Sequence, residues 1–175
     1  MAGVRFRRLR RGGIEARLET GEAAVLIQLC RELGGLWDSA GERPPEDDAV
    51  LNRLFPRAYL DPTAEEAEAE WRRFAQPDLV EGRKEAAETF LRTLAGAKQH
   101  RGALEVTLSP EEAEVWLAVV NDARLALGTR LEVTEETHPA DFAPDDPAMA
   151  PFAVYWWLGY VQEYLVDTLA SGMDG

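Results

Sequence analysis

Two polar side chains three residues apart, Asn121 and Arg124, interrupt the apolar stretch Ser109–Leu131, SPEEAEVWLAVVNDARLALGTRL. On a helix this spacing puts them on one side, while Asp122 points elsewhere. An amide and a guanidinium so placed position a neighbouring loop or helix, or grip a small molecule or phosphate through arginine's forked donors. Cys30 is the chain's one cysteine. An intrachain disulfide and a multi-cysteine metal site are therefore excluded, and no neighbouring base is evident to activate the thiol, which reads as a structural group with redox chemistry as the minority use. His138 lies near Asp141, Asp145 and Asp146, but the spacing is not that of a closed zinc site, and His100 stands in a loop. Glu65, Glu66, Glu68 and Glu70 share helical faces with no histidine among them, which suits a solvated helix start better than acid–base chemistry. No catalytic set, metal or cofactor is expected, and the chain does not read as an enzyme.

Charge distribution is more informative. Residues 4–18, VRFRRLRRGGIEARL, hold Arg5, Arg7, Arg8, Arg10, Arg11 and Arg17 against Glu15, six minus one or +5, within a chain of 19 basic and 32 acidic residues and net charge −13. The overall charge disfavours general binding to nucleic acid or to an anionic membrane. The local excess can grip an acidic protein surface or, more weakly, a phosphate backbone, or pair internally with the chain's own carboxylates. Arg72 and Arg73 form a second candidate basic contact. No run of about eighteen apolar residues offers a membrane span, nor is there a secretory leader, so a soluble cytoplasmic protein is expected.

The elements that position these residues are mostly helical. Val4 and Phe6, then Ile14, Ala16 and Leu18, alternate around Gly12-Gly13 and predict a small hairpin over about 4–18. Thr20 is the expected cap of a helix carrying Ala24, Ile27, Leu29, Leu33 and Leu36, with Cys30 on or beside that surface. The stretch 38–48, DSAGERPPEDD, reads as an acidic connection, and Leu51, Leu54 and Phe55 as a short helical turn. Asp61-Pro62 is the expected start of one helix, carrying Trp71 and Phe74 into the core, and Pro77 the start of another through Ala95, with Leu79, Ala86, Phe90, Leu91 and Leu94 apolar. Gly96–Gly102 then reads as a turn or loop and Ala103–Leu108 as a short strand. Ser109, Pro110 and Glu112 specify the start of the central helix as a capping box, with Trp116, Val119, Val120, Ala123, Leu127 and Leu131 on one face. After an acidic connection over 132–147, a final aromatic helix is predicted from Ala148 to Leu169. Its rings are core material first and a homodimer or partner surface second. The fold expected is mainly α, a single-domain helical bundle over 1–175 with a small N-terminal β-hairpin.

Four segments carry a resemblance: FPRAY from Phe55 to Tyr59, WRRF from Trp71 to Phe74, NDARLALGTRL from Asn121 to Leu131, and YWWLGYVQEYLV from Tyr155 to Val166. Together they resemble the actinobacterial DUF2017 family, a domain of unknown function, over almost the full chain. The resemblance implies a predominantly helical protein, associated with the transcriptional response to oxidative stress through contact with transcription machinery. It also implies genes near those for proteolysis adaptors, a zinc-dependent desulfurating peptidase and cysteine synthesis. It brings no catalytic residues. Asn121, Asp122, Arg124, Gly128, Arg130 and Leu131 match the central motif and are taken as determinants of the fold or of a partner surface. With Cys30 alone, redox sensing would need an intermolecular bond or another thiol oxidation state.

The function expected is a transcription-associated regulator acting mainly through protein contacts, in oxidative-stress or sulfur-metabolism regulation. A non-DNA-binding adaptor or homodimer is the first alternative. An enzyme of sulfur metabolism is the second.

Overall fold

The computed structural model describes residues 3–10, 12–40, 48–143 and 146–171. Among these the chain is mainly helical, with a small antiparallel sheet. The hairpin predicted at the N-terminus is present as β1 (Arg5–Arg8) and β2 (Ile14–Glu19). Gly12 lies in the turn with φ +87, a conformation that costs glycine nothing. The hairpin is half of a larger sheet. β3 (Lys98–His100) and β4 (Ala103–Leu108) add two strands in the order β1-β2-β4-β3. The stretch 96–102 is thus not wholly a loop. Its strand is a short exposed edge with no apolar alternation to announce it.

β2 runs without a loop into α1 (Thr20–Ser39). The cap is Glu19 rather than Thr20, and the Glu19 amide donates to Glu22 Oε2 at 2.8 Å. The buried residues of α1 are Glu22, Ala23, Leu26, Cys30, Leu33, Leu36 and Trp37; Leu33 and Leu36 lie on the predicted stripe, whereas Ile27 and Leu29 are half-buried and Ala24 is exposed. Asp48 caps α2 (Ala49–Leu54), accepting from the Val50 and Leu51 amides at 2.8 and 3.1 Å.

The largest departure from expectation is α3, one helix from Glu65 to Ala95 with Pro77 inside it. Proline lacks the amide for its helical hydrogen bond and costs about 3 kcal/mol in a helix interior. The chain accepts that cost because the flanking Glu, Ala, Gln and Arg residues are strong helix formers and the second half is docked through Ala87, Phe90 and Leu94. Asp61 does not open this helix but closes a turn before it, accepting from the Thr63 amide at 2.8 Å. Trp71 is half-buried and Phe74 is 65% exposed, so the latter is not core. Leu79 is also exposed.

α4 (Pro110–Arg130) starts as its sequence requires. The Glu112 amide donates to Ser109 Oγ at 3.1 Å, and the Ser109 amide donates to Glu112 Oε2 at 3.0 Å. It packs against α1, α2, α3, β4 and α5 (Met149–Ala170). Trp116 is fully buried on it, its ring 4.6 Å from Phe90 and its indole N–H donating to Thr93 Oγ1 at 2.9 Å. One apolar cluster runs from the inner sheet face, Ile14, Ala16, Leu18, Val106 and Leu108, through α1–α4 to Leu158, Val161 and Leu165 of α5.

Candidate interaction surface

The outer face of the sheet gathers the basic residues by strand register. Arg5 stands opposite Arg17, Arg17 opposite Glu105, and Glu105 opposite Lys98. One step along, Arg7 stands opposite Glu15 and bonds it through Nε and Nη2 at 3.3 and 2.9 Å. Arg7 is therefore neutralised by its own sheet. Arg5 and Arg17 carry no ion pair among the described residues, and like charges directly opposite each other on a sheet oppose its stability.

Arg101 joins them. His100 and Ala103 pair across the two-residue loop Arg101-Gly102, whose φ values are +48 and +81, the geometry of a tight hairpin turn. The three arginines line one open hollow of about 530 Å³ whose floor includes Thr20 and Gly21 in the first turn of α1, with Glu19 as the acidic residue of the lining. Only Arg5 of this group was singled out as a contact residue from sequence. Arg17 was counted in the hairpin's charge, and Arg101 was missed because its position depends on a turn recognisable only once β3 is known.

The other predicted contact residues lie elsewhere. Arg8 takes an inner register position opposite Ile14, and its Nη1 donates to the Leu169 carbonyl at 3.5 Å in the last turn of α5. Arg10 is exposed, and Arg11 lies outside the described residues. Arg72 is drawn onto the helix: its Nε bonds Glu68 Oε1 at 2.7 Å and its Nη1 reaches Gln76. Glu68 is itself buried and also accepts from the Ala58 and Tyr59 amides, each at 3.0 Å. Burial opposes its charge, yet the Tyr59 amide, Arg72 and the Ala58 amide together hold its pKa below the usual carboxylate range. Arg73 is exposed over the Phe74 ring at 4.6 Å. Neither Arg72 nor Arg73 lines the basic hollow.

Asn121 and Arg124 both face α5, through separate partners. Asn121 Oδ1 accepts from Gln162 Nε2 at 3.2 Å. Arg124 Nη2 donates to the Tyr155 hydroxyl at 3.2 Å, and its guanidinium lies 5.0 Å from that ring's centre. Asp122 turns the other way, its buried carboxylate pairing with the part-buried Arg83. Burial raises the Asp122 carboxyl above its ordinary range, and Arg83 pulls it back only in part. Arg83 also lies over the rings of Phe55 and Trp37, tying α1, α2, α3 and α4 together. This hub had no signal in sequence, since its partners are 39 residues apart.

Cys30 is 1% exposed, with Sγ 3.5 Å from the Ala87 carbonyl. Burial pushes its thiol up to about 11 despite the nearby charge of Arg31. His138 is exposed and its amide donates to Asp141 Oδ2 at 2.7 Å, while Asp145 lies outside the described residues. Among the described residues no group of three or more His, Cys, Asp or Glu is arranged to hold a metal, and no helix is long and apolar enough to cross a membrane. On α5 the aromatics divide: Phe152 packs tilted against Phe142 and Trp156 meets it edge-on, whereas Tyr160 and Tyr164 are 62% and 57% exposed.

No solved structure matches the chain. Among curated proteins it is similar to the oxidative stress regulator AosR of Mycobacterium tuberculosis H37Rv, 34% identical over 176 residues, covering 85% of this chain and 78% of that protein. The AosR protein of Mycobacterium leprae is 37% identical over 171 residues, covering 91% of this chain and 75% of that protein. Residues 1–169 match the family described as Domain of unknown function (DUF2017), and the chain belongs to that family.

Proposed function

We propose that the protein is a cytoplasmic regulator in the oxidative-stress response that acts mainly through protein contacts with transcription machinery, without catalysis. The relatives' designation as oxidative stress regulators supports the regulatory reading. The contact surface is the arginine-lined hollow, and the observation that carries it is the Arg5–Arg17 couple, without an ion pair among the described residues, lining one hollow with Arg101. Charge repulsion across adjacent strands serves no folding purpose, whereas an acidic partner surface entering the hollow relieves it. A protein partner is favoured over DNA because the net charge of −13 opposes approach to a polyanion, while a carboxylate-bearing loop meets only the local field. Purified protein should be tested against RNA polymerase, its sigma factors and promoter DNA over a range of salt. The combined substitution Arg5→Ser, Arg17→Ser and Arg101→Ser should abolish saturable protein binding while leaving the melting temperature near wild type. Absence of saturable binding to any of them, or binding indifferent to the triple substitution, rejects the reading.

Tyr160 and Tyr164 favour a second reading, an adaptor or homodimer built on α5. Sedimentation across a concentration range, repeated with Tyr160→Ser and Tyr164→Ser, separates the two. A dimer lost in these variants supports the second reading, and a monomer at all concentrations removes the homodimer.

A further inference from the structure

We propose that the cleft between α2, α4 and α5 is a binding site for a small oxyanion, a phosphate- or carboxylate-bearing molecule held by Arg53 and Arg124. The cleft has a volume of about 170 Å³, and its lining includes Arg53, Arg124, Thr129, Val133 and Tyr155 and, among the described residues, no carboxylate. In a chain with 32 acidic residues, two arginines opening on one cleft with no acidic neighbour in it among the described residues is a specific arrangement. Neither has an ion pair among the described residues.

Arg124 is held in place as a binding group would be. Its Nε is buried and has no acceptor, its Nη2 donates to the Tyr155 hydroxyl, and its charge lies over the Tyr155 ring. The ring orders the guanidinium without neutralising it. A part-buried cation that has lost water and gained no counter-ion favours any anion that reaches it. Tyr155 is held in turn by Gly128, where even a methyl group would lie 2.8 Å from the ring. The Val133 amide donates to the Gly128 carbonyl at 2.9 Å and folds the chain back over this end of α4. The Thr129 hydroxyl is spent on the Leu125 carbonyl. Three donors then remain for a ligand: the Arg53 guanidinium, the free edge of Arg124, and the Tyr155 O–H, whose oxygen already accepts from Arg124.

This donor set fits the planar or tetrahedral oxygens of carboxylate or phosphate, which arginine binds in forked fashion. At about 30 Å³ per water, the volume corresponds to roughly six waters, enough for an oxyanion on a short organic body. The site lies on elements other than the sheet, so it stands or falls independently of the basic hollow.

The test is a titration of the full-length protein with inorganic phosphate, and separately with succinate, at ionic strength held constant with sodium chloride. The readout is the side-chain Nε–Hε resonances of arginine. Saturable shifts of the Arg124 resonance are expected. Arg53→Ala, at an exposed position, should weaken binding by about tenfold with the melting temperature unchanged, and Arg124→Lys by a similar factor, because each removes a charge-assisted donor. Arg10→Ala should bind as wild type. Tighter binding of phosphate identifies a phosphate-bearing ligand, and tighter binding of succinate a carboxylate-bearing one. Shifts no larger than those with sodium chloride alone, or equal affinity in Arg53→Ala, overturn the proposal.

Discussion

Gly128→Ala is the sharpest test of how α4 and α5 are joined. Glycine inside a helix is ordinarily a liability, and replacing it with alanine gains about 0.5–1 kcal/mol. At Gly82, in α3, an added Cβ meets nothing within 4 Å, so Gly82→Ala should show that gain in full. At Gly128 the same Cβ would lie 2.8 Å from Tyr155 Cε2 and 3.4 Å from Cδ2. The ring cannot simply swing away, because its hydroxyl and its face are both engaged by Arg124. Overpacking of this kind costs about 1–3 kcal/mol. Subtracting the helix gain leaves a net loss of about 1 kcal/mol, or roughly 2–4 °C in melting temperature for a chain of this size. The assay is thermal and urea unfolding of wild type, Gly128→Ala, Gly82→Ala, Tyr155→Ala and the Gly128→Ala/Tyr155→Ala double variant. Opposite signs are expected for the two glycine variants, and removing the ring should restore the gain at position 128. If Gly128→Ala is as stable as Gly82→Ala, the reasoning fails.

Glu68→Ala should lose about 2–3 kcal/mol at neutral pH, since a buried carboxylate that holds two amides and Arg72 is removed. The folded pKa of Glu68 is depressed, so its contribution is present above the unfolded value and lost as pH falls through the folded one; the gap between variant and wild type should close in strong acid, and a constant gap would refute the assignment. Cys30 should react with a thiol reagent only as fast as the structure opens, because with a pKa of about 11 only about one thiol in ten thousand is ionised at neutral pH. Labelling within seconds in native buffer would contradict its burial. Pro77→Ala should stabilise the protein by about 1–3 kcal/mol by restoring one helical hydrogen bond, and a loss in urea midpoint would show that the proline serves the native packing.

What could be read from the chain was whatever its neighbours in sequence decide. The α4 start was legible because Ser109, Pro110 and Glu112 satisfy the first free amides locally, and the β1–β2 hairpin because Gly12 and the alternation from Ile14 to Leu18 lie within a few residues of each other. Pro77 misled for the same reason. A local signal for ending a helix was overruled by the formers on either side and by the docking of Phe90 and Leu94, both of which lie farther along. Trp71 and Phe74 have a helical spacing that makes them neighbours, but spacing does not say whether another element covers them, and Phe74 is left in solvent. The basic hollow was half legible. Hairpin charge pointed to Arg5, whereas Arg101 enters through the pairing of β4 with β2, a contact between segments some ninety residues apart in sequence. The Arg53–Arg124 cleft and the Arg83–Asp122 pair depend wholly on how helices dock.

The hydrogen bond from Arg8 to the Leu169 carbonyl joins residues 161 positions apart, and β1 and α5 pack together around it. The first strand and the last helix are therefore completed by one another. A ribosome delivers β1 long before α5, so β1 can pair with β2 early but its packing partner arrives only when α5 emerges. Closing so long a loop slows the final step of folding far more than it weakens the product. Until that step the inner edge of the hairpin and the apolar side of α5 are both uncovered, and it is in this interval that the nascent chain is most exposed to aggregation or chaperone capture.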